Sequence, residues 1–255
     1  MPRTNRVPRL DLIEIVLLGS LVAGAVWGYT LLRWQIVPSP EAADYRRVYG
    51  PARNSEHGEE WFIRHFFQDR RGGFFLDVGA NHYRDHSNTY YLETVLGWEG
   101  IAVEPLTDFE ADYVRYRPKT RFRPFFVSDV SNELARMYVL DDHSLVSSGS
   151  GEFTSRYGDD AQAVDVPTIT LNDLLDHEGV ERVDFLSMDI ELWEPKALAG
   201  FDIERFRPAL VCIEAHPEVR QQLLDYFARH GYVLDGRYLR ADVWNLYFRP
   251  LEEAD

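Results

Sequence analysis

The 255-residue sequence predicts an α/β fold whose sheet is mostly parallel and ends in an antiparallel strand pair. The first observation is a regular alternation of short apolar runs with segments of helical length. The second is the pair of runs near the C-terminal end, YVLDGRYL and DVWNLYFRP, which are joined around a turn. The third is that acidic and other polar residues follow nearly every predicted strand, which is typical of a parallel sheet that binds a ligand.

The first half of the sheet is predicted from three pairs of a helix and a strand. WFIRHFF is an apolar-rich segment of helical length, and the breaker Gly72-Gly73 separates it from FFLDV, a buried strand. SNTYYLETVLGW and TDFEADYVRYR also have helical length, and each precedes an apolar run, GIAVEP and RFRPFFVS respectively. Helices between short strands favour parallel pairing, because parallel strands need a crossover connection.

The second half repeats the alternation after an interruption. LARMYVL predicts an added strand, HSLVSSGSGEF a Ser/Gly-rich loop, and VDVPTITLNDLL a strand that runs into a helix. VDFLSMD predicts a buried strand and EPKALAGF a short helix. RPALVCIEAH predicts the next strand, and the helix PEVRQQLLDYFARHG follows it, with Pro217 suited to its start and Gly231 to its end.

An uncharged segment lies near the N-terminus. The 18 residues from Ile15 to Leu32 would extend about 27 Å as a helix, close to the roughly 30 Å of a hydrocarbon core. Pro38 and Pro40 then end any helix in a short linker. The sequence predicts a membrane anchor and linker over residues 1–40 and one catalytic domain over 41–255. A cleaved signal peptide and a buried amphipathic helix are the alternatives.

Charge and cysteine content exclude several classes of protein. The chain has 27 Lys and Arg residues against 42 Asp and Glu residues, a net charge of −15. Residues 1–40 carry +2, so the remainder carries −17, and this acidity argues against a nucleic-acid partner. The single cysteine, Cys212, excludes an internal disulfide and a zinc or iron–sulfur site built from several cysteines.

The residues that follow the first two strands predict a nucleoside site. Gly79 permits a turn and the close approach of a ligand, and Asn81 accepts a left-handed conformation. Glu104 lies 27 residues beyond Asp77, where a carboxylate can accept hydrogen bonds from both hydroxyls of a ribose. The loop reads G-A-N-H-Y-R, without the later glycines of a dinucleotide fingerprint, so an adenosine ligand that lacks phosphates fits better.

A series of motifs resembles a known family. FFLDVGAN, GIAVEP, VSD, VPTITLNDLL and VDFLSMDIELWEPKALAGFD resemble, in this order, the motifs of FkbM-type S-adenosylmethionine-dependent methyltransferases. DHSNTYYLETVLGWEGIAVEP is similar to the branch with G-A-N, S-N-T and G-W-x-G-x-x-V-E-P. The resemblance extends from about Phe74 to His216, more than half of the chain. It implies a Rossmann-like methyltransferase fold, which is an α/β fold with a mostly parallel seven-stranded sheet and a C-terminal antiparallel pair. The uncharged segment from Ile15 to Leu32 adds one predicted N-terminal transmembrane helix before this fold.

The resemblance also implies a site for S-adenosylmethionine. The implied contacts are with the methionine part (Asp77, Gly79, Ala80 and Asn81), the ribose (Glu104) and the adenine (Ser128 and Asp129). A Ser-Asp pair at an exposed strand end is otherwise a plain turn or helix cap.

The candidate catalytic residues follow the last two parallel strands. The family motif D-x-E-G-x-E reads D-I-E-L-W-E here, so its three acids remain while Leu192 replaces the glycine. Clustered carboxylates repel one another and raise at least one pKa, which suits a general base for a hydroxyl acceptor. The candidates are, in order, Asp189 and His216, then Glu191 and Glu194. Alternatively, the two glutamates only favour the start of the next helix.

No metal site is predicted, because a metal needs at least three converging ligands and sequence distance does not show convergence. His216 with Asp189 and Glu214 remains an open alternative. In the loop after the first strand, His82, Asp85 and His86 are further residues that can contact cofactor or acceptor, although such positions are more often solvated.

The predicted function is O-methylation of a hydroxyl on a glycan, lipid-linked sugar or small metabolite by a membrane-tethered enzyme that uses S-adenosylmethionine. The cofactor is available in the cytosol, so a single-pass protein with a cytosolic catalytic domain is expected. One alternative is an inactive scaffold, favoured by Leu192. Another is a membrane-anchored glycosyltransferase with Asp141-Asp142-His143 as a metal and nucleotide-sugar site. The oligomeric state is not indicated.

Overall fold

The computed structural model describes residues 40–51, 54–140, 147–158 and 160–252. From Pro40 onward these residues form one compact unit. The strands are β1 (Phe74–Val78), β2 (Glu99–Val103), β3 (Thr120–Arg123), β4 (Phe126–Val127), β5 (Leu134–Val139), β6 (Gln162–Ile169), β7 (Phe185–Met188), β8 (Leu210–Glu214), β9 (Tyr232–Leu234) and β10 (Asn245–Pro250). The helices are α1 (Pro40–Tyr49), α2 (Glu59–Phe67), α3 (Tyr90–Thr94), α4 (Glu110–Tyr116), α5 (Gly151–Thr154), α6 (Leu171–His177), α7 (Glu194–Ala199), α8 (Ile203–Phe206) and α9 (Arg220–Arg229).

Seven strands form the main sheet, in the order β3-β2-β1-β7-β8-β10-β9. The first five pair in parallel, and β10 pairs antiparallel with both β8 and β9. The prediction of a mostly parallel seven-stranded sheet with an antiparallel pair at its C-terminal end is therefore confirmed. Since β1 pairs with β2 on one side and β7 on the other, the chain reverses its direction across the sheet at this point.

The central strands carry apolar residues on both faces, and both faces of the sheet are buried. Leu76 and Val78 of β1 face one core with Leu171 and Leu174 of α6, and each is at most 1% exposed. The opposite face of the sheet packs against a separate aromatic cluster that includes residues of α2. The strands are rigid supports for the residues that follow them, because both of their faces are buried.

A second, three-stranded sheet has the order β4-β6-β5. The prediction of one continuous strand over RFRPFFVS is wrong, because this run divides at Pro124 into β3 and β4, which belong to different sheets. Proline has no backbone N–H to donate, so it interrupts a ladder inside a sheet. The division moves the residues after Pro124 away from the main sheet.

The predicted localisation is also corrected. Within the part of the chain that the structure describes, no helix has the length and apolar character needed to cross a membrane. The two longest described helices, α1 and α9, have 10 residues each, whereas a span needs about 20. The prediction of a single-pass membrane protein with a cytosolic catalytic domain is therefore wrong. The segment 15–32, on which it rested, lies outside the described residues.

Candidate active site

A cavity of about 370 Å³ opens at the carboxyl edge of the main sheet, beyond the adjacent strands β1 and β7. Ligands of doubly wound sheets bind at such a reversal of strand order, and small-molecule sites measure roughly 300–1,000 Å³. The walls come from the loops after β1, β2, β7 and β8, from β4 and β5, and from the segments that precede α2 and β10. The cavity therefore lies where the predicted strand-end residues meet.

The loop after β1 forms one wall. Gly79 has a φ of 80°, and a Cβ at this position would overlap the carbonyl oxygen of Asp189, so no other residue fits without a shift of the backbone. The backbone N–H groups of Gly79 and Ala80 both donate to the carbonyl of Val103, at 2.9 and 3.2 Å. Asn81 follows with a left-handed φ of 44°. The loop thus lies against both neighbouring strands, and residues 79–81 all line the cavity.

Glu104 lines the cavity directly after β2. Its Oε2 accepts from the backbone N–H of Asn81 at 3.2 Å, and its Oε1 accepts from that of Leu106 at 2.9 Å. Burial raises the pKa of this carboxyl to about 7, although both backbone hydrogen bonds oppose the shift. The carboxylate is therefore held in a fixed orientation, and each of its oxygens retains a lone pair for a further donor.

The turn after β7 forms a second wall, in contact with the Gly79 loop. Asp189 and Glu191 line the cavity, and Glu191 and Leu192 have left-handed φ angles of 55° and 74°. A residue other than glycine adopts this conformation at a cost of roughly 1–2 kcal/mol. The carbonyl of Glu191 accepts from Ser148 Oγ at 2.6 Å, which helps to hold the turn. Leu192 thus takes the conformation that suits a glycine, and the turn persists despite the replacement.

Residues from the ends of β7 and β8 meet at a histidine. His216 Nε2 lies 3.0 Å from Glu191 Oε2 and 3.1 Å from Glu214 Oε2. Hydrogen bonds to these two carboxylates raise the pKa of His216 to about 10. Removal from bulk water raises the pKa of Glu191 to about 7, which His216 opposes and Glu214 reinforces. Glu214, Glu191 and His216 offer ligand atoms that all lie within 4.8 Å of one another.

Asp189 belongs to the same acidic group. Its side chain is exposed to the cavity, and its pKa is raised well above the ordinary value, first by desolvation among the surrounding groups and then by repulsion from Glu214 and Glu191. Glu194 is 0% exposed and does not line the cavity. One of its oxygens accepts from the N–H of Ile190 at 3.1 Å, and burial raises its pKa to about 8. The structure therefore brings three of the four predicted catalytic residues to the cavity, while Glu194 lies beneath its wall.

Comparison with protein families identifies this domain. Residues 77–234, more than half of the chain, match the Methyltransferase FkbM domain. The chain belongs to the FkbM methyltransferase family. The resemblance predicted from the motifs is confirmed, and the main sheet is the Rossmann-like sheet of a methyltransferase fold.

Comparison with solved structures finds methyltransferases of low identity to this chain. A TehB-like SAM-dependent methyltransferase from Corynebacterium glutamicum is 14% identical over 90% of this chain and 100% of its own, with a TM-score of 0.46. A SAM-dependent O-methyltransferase from Thermotoga maritima is 9% identical over 85% of this chain and 73% of its own, with a TM-score of 0.44. The likeness is one of fold alone. None of the curated proteins compared matches the sequence.

Asp77 lies outside the cavity of the FkbM domain. It is buried within β1 and accepts from Thr89 Oγ1 at 2.6 Å, and Thr89 in turn accepts from Arg117 Nη2 at 3.1 Å. Burial raises the pKa of Asp77, while Thr89 and Arg117 lower it. Asp77 therefore anchors β1 to α3 rather than lining the pocket, because its strand has not yet ended at this residue.

Ser128 and Asp129 do not line the cavity either. They follow β4, which pairs with β6 in the second sheet. Ser128 is buried, with its Oγ 3.0 Å from Asp129 Oδ1. The predicted contact of these two residues with adenine assumed that the third strand of the main sheet continues through Pro124 to Ser128. That strand ends at Arg123, and β4 belongs to the second sheet, so the prediction loses its basis. Of the three loop residues proposed as further contacts, His86 lines the cavity, whereas His82 and Asp85 do not.

Sequence reasoning missed part of the cavity wall. Trp244 and Asn245 lie at the start of β10, and Glu56, His57 and Glu59 come from the segment that begins α2. An antiparallel strand begins at the edge where its parallel neighbours end, so the start of β10 was predictable from the strand pattern. The contribution of residues 56–59 depends on long-range docking, which no local pattern indicates. Asp141-Asp142-His143, the alternative metal site, lies outside the described residues.

Proposed function

We propose that this FkbM domain binds S-adenosylmethionine and methylates a hydroxyl group of a neutral small molecule or glycan. The observation that carries the proposal is the arrangement of one cavity. The Gly79 loop and Glu104 form one wall, and the acidic turn with His216 forms the other. A donor on the first wall would thus lie beside an acceptor on the second.

The residues on the first wall fit S-adenosylmethionine. Gly79, Ala80 and Asn81 line the cavity beside Glu104, and the fixed Glu104 carboxylate suits the two hydroxyls of a ribose. The loop has no further glycines for a pyrophosphate, in agreement with a nucleoside ligand. The cavity is also lined by acids, including Asp189 and Glu191, which suits a ligand with a sulfonium and an ammonium group.

The acceptor wall favours a neutral, hydroxylated molecule. Glu56, Glu191 and Glu214 line it, and their charges would repel a phosphate or carboxylate. Trp244 stacks on His57 with ring centroids 5.3 Å apart, which gives an aromatic surface at the cavity wall. Such a surface suits the apolar face of a sugar ring. The net charge of −15 argues against a nucleic-acid acceptor.

The acidic turn supplies the proton acceptor in this proposal. S-adenosylmethionine, when bound, supplies a methyl group activated on a sulfonium sulfur. The backbone of Asp189 packs against Gly79, and its carboxylate lies beside Glu214, so Asp189 is placed between the two walls. We assign Asp189 the role of the general base that accepts the proton of the acceptor hydroxyl. His216 is less suited to this role, because Glu191 and Glu214 hold it in its charged form in the metal-free chain.

The conformation of Leu192 favours the enzyme over the scaffold alternative. The scaffold alternative rested on the membrane anchor and on Leu192 in place of the family's glycine, which put the turn in doubt. Leu192 keeps a φ of 74°, and Asp189 and Glu191 still line the cavity. The acids are thus available to an acceptor.

Titration calorimetry of the full chain with S-adenosylmethionine tests the donor site. We expect binding, and we expect Glu104→Ala to weaken it by more than about tenfold, because hydrogen bonds to a charged group are worth roughly 1.5–3 kcal/mol. Glu99→Ala is the matched control, since Glu99 is an exposed glutamate at the other end of the same strand. No binding, or equal affinity in both variants, would refute the proposal.

A second measurement tests the role of Asp189. We expect Asp189→Asn to lower S-adenosylhomocysteine formation with an acceptor fraction by about 10²–10⁴-fold, as loss of a general base does. Its affinity for S-adenosylmethionine should remain within a few-fold of the parent. A rate that stays unchanged would assign the proton to another residue.

A further inference from the structure

Three metal-ligating side chains converge on one point of the acceptor wall. Glu191 follows β7, whereas Glu214 ends β8 and His216 follows it. One nitrogen of His216 lies within 3.1 Å of an oxygen from each glutamate, and the three ligand atoms all lie within 4.8 Å of one another. This is the convergence from separate elements that the sequence alone does not show.

The negative charge around this point is not balanced by the described residues. Asp189 and Glu194 are two further carboxylates. Repulsion from Glu214 and Glu191 contributes to the raised pKa of each. In the described ranges, no Lys or Arg forms an ion pair with any of these four acids. The nearby Arg156 pairs with Glu218 instead. The imidazole of His216 pairs with two of these carboxylates and leaves the other two without a described cation, which is an unfavourable arrangement for ionised acids.

An unpartnered buried oxygen points to a missing ligand. Glu194 is 0% exposed, and its Oε2 has no hydrogen-bond partner among the described residues. Among the neighbouring charges, repulsion from Glu214 raises the pKa of Glu194 most, and the buried Oε2 of Glu214 lies 3.1 Å from His216 Nε2. Buried carboxylate oxygens are ordinarily hydrogen-bonded or bound to a metal. The acids behind the cluster are thus arranged around a positive charge.

Neighbouring groups hold the three side chains in place. Ser148 donates to the carbonyl of Glu191 at 2.6 Å, and Glu191 itself is fixed in a left-handed conformation. The ring of Phe153 meets the ring of His216 edge to face, with centroids 5.2 Å apart. Backbone strain of this kind is retained where the surroundings determine it, and such sites are frequently functional.

We propose that Glu191, Glu214 and His216 bind a divalent cation. Two carboxylates and one imidazole form a mixed oxygen and nitrogen set, which suits ions such as Mn²⁺. Three protein ligands leave coordination positions open towards the cavity for water or a hydroxyl oxygen. A cation there would orient an acceptor hydroxyl and promote loss of its proton. This role rests on the proposed function, whereas the cation site itself rests only on the cluster.

The test uses the chelator-treated full chain and Mn²⁺ alone. Electron paramagnetic resonance measures free Mn²⁺ during the titration, and thermal unfolding is followed with and without the ion. We expect binding, with a higher unfolding temperature when Mn²⁺ is present. Glu214→Gln and Glu191→Gln should each weaken binding by more than about tenfold. Glu218→Gln is the matched control, since Glu218 is an exposed glutamate two residues beyond His216.

A structural role and a ligand role predict different results. Without metal, Glu214→Gln removes repulsion, so this variant should unfold at the same temperature as the parent or a higher one, and it should gain nothing from Mn²⁺. If it is unfolded by circular dichroism, Glu191→Gln gives the same comparison. No Mn²⁺ binding at millimolar concentrations, or equal binding by the glutamine variants, overturns the site. Either result leaves the calorimetry with S-adenosylmethionine unaffected, so failure of the cation site and failure of the donor site are distinguishable.

Discussion

Glu104 links the proposed donor site to pH. Its pKa is raised by burial to about 7, and a ribose hydroxyl donates to its ionised form. We therefore expect the affinity for S-adenosylmethionine to be constant above pH 7 and to fall by about tenfold per pH unit well below it. Calorimetry at several pH values measures this. Glu104→Gln cannot ionise, so its weaker binding should not share this pH dependence; an identical pH profile in parent and variant would assign the titration to another group.

Leu192 offers a direct measure of backbone strain. At an ordinary position, glycine is less stable than alanine by roughly 0.5–1 kcal/mol. Leu192 has a φ of 74°, where alanine keeps the strain of about 1–2 kcal/mol and glycine does not. Both variants lose the packing of leucine, so urea unfolding should show Leu192→Gly to be more stable than Leu192→Ala. The reverse order would mean that the turn relaxes in the variants.

Individual site residues were predictable to the degree that their strand ends were. Gly79, Glu104 and His216 all line the cavity, because each follows a strand of one parallel sheet and such strands end at one edge. Asp77 was expected at the cavity, but it lies within β1, two residues before Gly79, which does line the cavity. The motif does not show where the strand ends. The contact of His216 with Glu191 depends on a left-handed turn that the leucine at 192 does not indicate.

The division at Pro124 shows what periodicity cannot supply. RFRPFFVS has the apolar content of one strand, yet its two halves pair with β2 and β6 in different sheets. The break carries Phe126 and Val127 to the cavity wall and carries Ser128 and Asp129 away from it. Proline alone marks a possible interruption, but partner choice beyond it is a tertiary effect that local sequence does not encode.

A buried polar contact joins α2 to β10 beside the cavity. Asn245 Nδ2 donates to Glu59 Oε1 at 3.0 Å and to Asp242 Oδ2 at 3.1 Å. Asn245→Ala removes the donor to Glu59 Oε1, while Asp242 Oδ2 keeps the hydroxyl of Tyr247, and the loss should cost about 1–3 kcal/mol of unfolding free energy. Asn245→Asp also adds a third carboxylate, so its cost should exceed that of alanine and should increase from pH 6 to pH 8. Urea unfolding at both pH values measures this; equal costs at the two would indicate that water enters the contact.

Stability of the domain as a unit should decrease as the pH rises from about 5 to 7. Burial raises the pKa of Glu59 to about 8 and that of Glu104 to about 7. Below the pKa that each carboxyl has in the unfolded chain, both states bind the proton. Above that value the unfolded chain releases a proton that the folded chain retains. Rising pH therefore favours unfolding until the pH passes the pKa of the folded chain. Acids with lowered pKa values, such as Asp235, are ionised in both states over this interval and contribute no slope.

Two histidines modify this slope in opposite directions. Burial lowers the pKa of His65, so its contribution to stability increases with pH, whereas the carboxylates beside His216 raise its pKa and add to the decrease. The glutamates with raised pKa values (Glu59, Glu104, Glu191 and Glu194) therefore dominate, each contributing about 1.4 kcal/mol per pH unit between its unfolded and folded pKa. Urea unfolding without added metal, from pH 5 to 7, should show the decrease. Glu104→Gln should flatten it, and Glu99→Gln, on an exposed side chain of the same strand, should not. Stability that rises over this interval would show that these carboxyls ionise as freely in the folded chain as in the unfolded one.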